Sequence, residues 1–245
     1  MHLLEGKGVT IHFGGLAAVS DVDFYVDNGE VVGLIGPNGA GKTTLFNLIS
    51  GALQPKPGEI FFKGKKINGL RRYKICRSGI ARTFQTVKVF GNLPVIENVR
   101  VGLLFGAQKR FKKDVNTEAK DLLEFVGLSD VAYMPARDLT LANQKRIEVA
   151  RALATQPELL LLDEIMAGLN PTELAEAMDL VKKIQKKGIT IVIVEHVMKA
   201  IMGICDRIIV LNYGKKIAEG TPKEITSNKK VIEVYLGETT NAGSK

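Results

Sequence analysis

Gly36-Pro37-Asn38-Gly39-Ala40-Gly41-Lys42-Thr43 reads G-x-x-x-x-G-K-T, and its neighbours decide what that run means. Before it, Glu30–Ile35 is apolar and β-branched, as a buried strand would be. After it, Thr43–Ser50 opens a helix. A glycine-rich turn between a strand and a helix is a phosphate-binding loop. Glycine has no Cβ, so the backbone can wrap phosphate oxygens closely. Its N–H groups then form an anion nest at the helix N-terminus. All eight residues, with Thr44 after them, are candidates for nucleotide contact. Lys42 brings a point charge to the β- and γ-phosphates and belongs to the catalytic set as well, and the Thr43 hydroxyl can ligate Mg²⁺. The chain is therefore expected to bind a nucleoside triphosphate.

Working outward, Val9–Phe13, Val22–Val26 and Glu30–Ile35 read as strands, with Asp27-Asn28-Gly29 a hairpin signal between the last two. Glu59–Phe62 and Lys65–Ile67 flank Lys63-Gly64, a second hairpin. From residue 71 to 156 helical periodicity takes over, as in Ala119, Leu122, Leu123 and Val126 on one face of Glu118–Val126. Gly106–Thr117 is polar and basic and reads as an exposed loop. Leu159–Asp163 returns to strand. Asn170-Pro171-Thr172-Glu173 carries the N-cap, N1 and N3 residues of a helix that Gly188 stops. Ile189–Val194 is apolar throughout, the pattern of a strand covered on both faces. Arg207–Leu211 and Lys216–Glu219 close a hairpin at Asn212-Tyr213-Gly214, and Thr221-Pro222-Lys223-Glu224 is a second helix start. The fold class is α/β, with a mainly parallel core sheet, an N-terminal antiparallel β part and a helical subdomain. The core is expected to comprise residues 1–85 and 157–245, and the helical part 86–156.

Leu159–Leu162 ends in Asp163-Glu164. An apolar strand that stops at two carboxylates delivers them to the sheet edge where the phosphate loop also lies. Asp163 is the candidate Mg²⁺ holder, through water, and Glu164 the general base for an attacking water.

A length of 245 residues suits one large domain or a core plus a subdomain. Net charge is +8, but the basic residues are scattered, with clusters at Lys63–Lys66, Lys109–Lys113 and Lys182–Lys187. No aromatic residues interleave with them as a base-stacking surface requires, so nucleic acid is not an expected partner. No run of about 18 apolar residues occurs, and the N-terminus has no secretion signal pattern. Two cysteines make no disulfide framework, and three unclustered histidines argue against zinc.

By these motifs the chain resembles the ATP-binding subunits of ABC transporters, from Val9 to about Gly237. It looks most like those of branched-chain amino-acid importers. The stretches that carry the likeness are Phe13-Gly14-Gly15-Leu16-Ala17-Ala18-Val19, Ala81-Arg82-Thr83-Phe84-Gln85, Glu97-Asn98-Val99 and Ala167-Gly168-Leu169-Asn170-Pro171. The resemblance implies a P-loop ATPase of ABC type that uses ATP and Mg²⁺ on the cytoplasmic face of the cell membrane. It would power import of branched-chain amino acids, beside integral membrane permease subunits and a second ATPase subunit, either another copy or a related chain. It also implies roles. Phe13 would stack on adenine, Gln85 would reach Mg²⁺ and the attacking water, and His196 would contact the γ-phosphate; Glu195 beside it is assigned none.

The family's signature usually reads Leu-Ser-Gly-Gly-Gln; here it is Leu139-Thr140-Leu141-Ala142-Asn143. Thr140 and Ala142 would meet the nucleotide of the opposite subunit. Thr140 keeps a hydroxyl, while Ala142 adds a Cβ where glycine allows close approach. Ile165 stands where a proline is common, and Asn170 where many relatives have Asp. The apolar segment Val87–Val99 is expected to bind a membrane subunit's cytoplasmic helix. Rival readings are a soluble ABC-type ATPase acting on ribosomes or DNA, an exporter ATPase for lipid or lipopolysaccharide, and a regulatory subunit with little turnover of its own.

Overall fold

The structure is a computed structural model and describes residues 1–106 and 114–241. The chain opens with two long strands, β1 (Leu4–Phe13) and β2 (Leu16–Val26), which pair with each other around Gly14 and Gly15. Then come β3 (Val31–Ile35), α1 (Lys42–Ile49), β4 (Glu59–Phe62), β5 (Lys65–Lys66), α2 (Arg72–Ser78) and β6 (Ile80–Arg82). Helices α3 (Val95–Phe105), α4 (Val115–Phe125) and α5 (Leu141–Leu153) form the middle. The last part runs β7 (Leu159–Asp163), α6 (Pro171–Lys186), β8 (Thr190–Val194), α7 (Met198–Ile204), β9 (Arg207–Asn212), β10 (Lys215–Gly220), α8 (Pro222–Ser227) and α9 (Lys229–Asn241).

Two sheets result. One is antiparallel, in the order β2-β1-β4-β5; the other runs β10-β9-β3-β8-β7-β6 and is parallel except for β10. Because side chains alternate along a strand, each central strand serves two cores. Leu159, Leu161, Val192 and Val194 face α1 and the antiparallel sheet, whereas Leu160, Leu162, Ile191 and Ile193 face the helices of the other layer. That double burial is why β7 and β8 are apolar at almost every position. The strand order also places the chemistry. β3, β8, β7 and β6 are consecutive and parallel, so their C-terminal ends stand in a row on one edge. The chain leaves those ends as the phosphate loop, as Glu195-His196, as Asp163-Glu164 and as Thr83-Phe84-Gln85.

Several expectations change. Asp27-Asn28-Gly29 is not a hairpin: β2 and β3 belong to different sheets, and β3 lies between two parallel neighbours. The turn chemistry was read correctly, but pairing was decided by burial, since β3 is covered on both faces. β1 begins at Leu4, ahead of the apolar run, although it includes Gly6. There the Phe24 ring of β2 covers the glycine backbone; a Cβ at Gly6 would sit 2.1 Å from that ring. β6 and α2 lie inside the stretch read as helical from residue 71, and Ile80–Arg82 is too short to show strand alternation. Asp114 caps α4 by accepting from the Asn116 and Thr117 N–H groups, so Val115–Thr117 is helix where loop was expected. Residues 107–113 of that loop, with the Lys109–Lys113 cluster, lie outside the described residues. Both capping boxes form, with Asn170 and Glu173 opening α6 and Thr221 and Glu224 opening α8.

Candidate nucleotide site

The loop between β3 and α1 has the shape its glycines permit. Gly36, Gly39 and Gly41 have φ of 151°, 78° and 101°, which L side chains rarely adopt. Two of them are also hemmed in: a Cβ on Gly36 would lie 2.1 Å from the Leu211 carbonyl oxygen, and one on Gly41 2.4 Å from that of Ala18. The Lys42 ammonium is buried and donates to the carbonyls of Gly36 (2.6 Å) and Pro37 (2.9 Å), which holds it over the loop.

Above the loop lies an open cavity of about 390 Å³, lined by residues 38–44 and by Phe13, Gln85, Glu164, His196 and Tyr213. Phe13 is half exposed there, free to offer a ring face. Tyr213 is 84 % exposed at the same cavity, a second aromatic that sequence reading had only as a turn residue. The signal was present, since an aromatic at the tip of an Asn-x-Gly turn cannot be core.

The two carboxylates after β7 have opposite surroundings. Asp163 is buried and does not line the cavity. One oxygen, Oδ2, accepts from the Arg82 guanidinium at 2.7 Å. Arg82 also donates to Asn47 Oδ1 (2.6 Å) and Ser50 Oγ (3.2 Å) on and beside α1. Burial pushes the Asp163 carboxyl above its ordinary value, and Arg82 pulls it back down. Its other oxygen, Oδ1, is buried and has no hydrogen-bond partner among the described residues. An orphaned carboxylate oxygen and the Thr43 hydroxyl are hard oxygen donors, and they fit Mg²⁺. Among the described residues no cluster of three or more His, Cys, Asp or Glu could hold an ion, so such a Mg²⁺ would take most of its ligands from phosphate and water.

Glu164 lines the cavity and takes φ +51°, in the left-handed region. Its carboxylate spans two partners, accepting from Gln85 Nε2 at 2.9 Å on one oxygen and meeting His196 Nε2 at 3.0 Å on the other. Gln85, Glu164 and His196 come from the ends of three neighbouring strands, so the sheet order alone assembles them.

Thr140 and Ala142 do not reach this cavity. Thr140 caps α5, its hydroxyl accepting from the Asn143 N–H at 3.3 Å. Ala142 is buried beside Ile165 and Leu169, and its N–H, in the first turn of α5, has no partner within that helix. The Val87–Val99 segment divides. Val95, Ile96 and Val99 are core, while Phe90 and Leu93 remain partly exposed. A larger groove of about 600 Å³ lies alongside, lined by Asn47, Arg72, Arg82, Phe84, Lys88, Glu148 and Arg151 among others. Only Lys88 of the apolar segment belongs to it.

A family model described as ABC transporter matches residues 19–167, and a second, described as Branched-chain amino acid ATP-binding cassette transporter, matches residues 215–240. The high-affinity branched-chain amino acid transport ATP-binding protein BraF of Pseudomonas aeruginosa is 41 % identical over 96 % of this chain and 98 % of its own length. The corresponding LivG protein of Salmonella typhimurium is 43 % identical over the same shares. Among solved structures, the ADP conformation of an ABC transporter's ATP-binding cassette superposes with a TM-score of 0.88 at 32 % identity, covering 97 % of this chain and 99 % of that one.

Proposed function

The chain belongs to the ABC transporter family as an ATP-binding, ATP-hydrolysing subunit, and we propose that it powers the import of branched-chain amino acids, with Glu164 as the catalytic base. The single observation that carries the catalytic assignment is the Glu164 carboxylate at the cavity, steered by Gln85 and His196 and facing the phosphate loop. Phe13, with Tyr213 beside it, stacks on adenine. Residues 36–44 cradle the phosphates, and Lys42 moves from its own loop carbonyls to the β- and γ-oxygens. Glu164 accepts the proton of the attacking water while Gln85 and His196 hold the carboxylate toward the γ-phosphate. Thr43, Asp163 through water, and Gln85 would hold Mg²⁺, which would supply charge neutralisation at the phosphates.

Thr140 and the Ala142 N–H lie away from their own cavity, which supports a site completed by a second ATPase subunit. The positive end of α5 then points at the nucleotide of the other chain. Residues 1–85 and 157–245 act as the ATPase core and 86–156 as the helical arm between it and the membrane partner. That partner, an integral permease subunit, docks in the groove of about 600 Å³ beside Val87–Val99 rather than on the segment itself. Phe84 and Lys88 line that groove and bracket Gln85, which joins it to the nucleotide. Among the described residues no helix is long and apolar enough to cross a membrane. The similarity to proteins named for branched-chain amino-acid transport supports the solute.

Two experiments test this. Glu164→Gln retains ATP binding and loses most turnover; wild-type turnover in that variant removes the base. The complex with its permease, reconstituted in vesicles, takes up radiolabelled leucine only with internal ATP; uptake of another solute class instead overturns the substrate.

A further inference from the structure

The loop that follows β7 carries Glu164 in a backbone conformation that a non-glycine residue keeps only when its surroundings hold it there. Two buried charged side chains do the holding, and neither lines the nucleotide cavity. From α5, the Lys145 ammonium donates to the carbonyls of Glu164 (3.1 Å) and Ala167 (2.6 Å). From the end of β8, Glu195 Oε1 accepts the Met166 N–H at 2.6 Å. The Glu164 N–H is itself tied to the Val194 carbonyl at 2.9 Å. The loop backbone is thus gripped from the helical layer on one side and from the sheet on the other.

A buried ammonium and a buried carboxylate are costly to keep out of water. Burial lowers the Lys145 pKa and raises that of Glu195 to about 7, and their mutual attraction opposes both shifts. Glu164 and Glu148 are the other charges that face Lys145, and Glu164 also faces Glu195. An apolar pair would fill the same space without that cost, so the polar pair points to a task in holding backbone. Its connection supplies the task. Lys145 lies on the same helix as Thr140 and Ala142, one turn beyond the end that faces the second subunit.

We infer that Lys145 and Glu195 are positioning residues that clamp the Glu164 loop, so that seating α5 on the second subunit's nucleotide also sets the Glu164 carboxylate in its own site. The inference rests on the proposed roles of Glu164 and of the Thr140 end.

The test compares purified full-length Lys145→Met, Glu195→Met, the double variant and Glu164→Gln, each measured for kcat, KM and ATP affinity. The clamp predicts kcat lowered by about tenfold in each single variant, the scale of one charge-assisted hydrogen bond. KM and ATP affinity stay within about twofold, because only the reacting geometry is disturbed. The double variant is no slower than the slower single, because both act on one loop. Wild-type kcat in both singles, a parallel loss of ATP affinity, or additive losses in the double each overturn it. Should Lys145→Met fail to fold, Glu195→Met, which removes the acceptor of the Met166 N–H at similar volume, decides alone. An inactive Glu164→Gln beside unimpaired clamp variants rejects the clamp and leaves the base standing; an active Glu164→Gln rejects the base itself.

Discussion

The phosphate loop and the Thr140 end of α5 are both helix N-termini that we propose meet phosphate, yet they are made by different means. The loop before α1 is complete within its own chain. Its glycines take backbone angles closed to other residues, and its lysine is already held over it. The end of α5 is an ordinary capped helix with a threonine hydroxyl and first-turn N–H groups, and it does not line its own cavity. On the proposed reading the first is a binding site in the monomer, and the second would become one only across an interface. ATP affinity of the dilute chain should therefore report on the first alone, and turnover on both.

Substitutions ordered by effect break or sharpen that contrast. Gly41→Ala is the most severe: its Cβ meets the Ala18 carbonyl at 2.4 Å in a left-handed backbone, so nucleotide binding should disappear by equilibrium titration. Retained affinity would show that the loop's shape is not what binds. Arg82→Gln comes next. It strips the buried Asp163 of its cation, and removing one partner of a buried pair costs roughly 3–5 kcal/mol, measurable by urea unfolding.

Glu195→Gln is expected to act through pH. The folded pKa of about 7 lies above the ordinary value of 4.5, so the fold favours the protonated carboxyl. That contribution is complete below pH 4.5 and is lost as pH rises through 7. Between pH 5 and 8 the wild type should lose up to about 3 kcal/mol relative to Glu195→Gln, read from paired unfolding curves. Parallel curves would mean that Lys145 keeps Glu195 ionised throughout. Thr140→Ala is the mildest, about 1 kcal/mol from a lost cap. It should leave the ATP affinity of the dilute chain unchanged and lower turnover only. A drop in that affinity would erase the distinction between the two helix ends.

How much could be read beforehand depends on how local the cause is. The phosphate loop, the Asp163-Glu164 pair and both capping boxes were legible because each is settled by residues within a few positions. The turn at Asp27-Asn28-Gly29 was legible as a turn and misread as a hairpin, because pairing is decided by what covers β3. Arg82 stood in a quoted motif without a role, since its partner is 81 residues away. Glu195 was passed over for the same reason: its value lies in Met166 and Lys145, which the sheet and α5 bring to it. Val87–Val99 was marked as apolar, but only packing could divide it into core residues and surface beside a groove.

Sequence alone marked this chain as a nucleotide binder and singled out the loop proposed to cradle the phosphates, because φ above zero at a glycine and a cap at a helix start are properties of a few adjacent residues. Tertiary structure decided which strands are neighbours, and hence that Gln85, Glu164 and His196 converge while Thr140 does not. Strand order follows from burying two faces of one sheet at once, a condition on the whole chain that no short stretch can express.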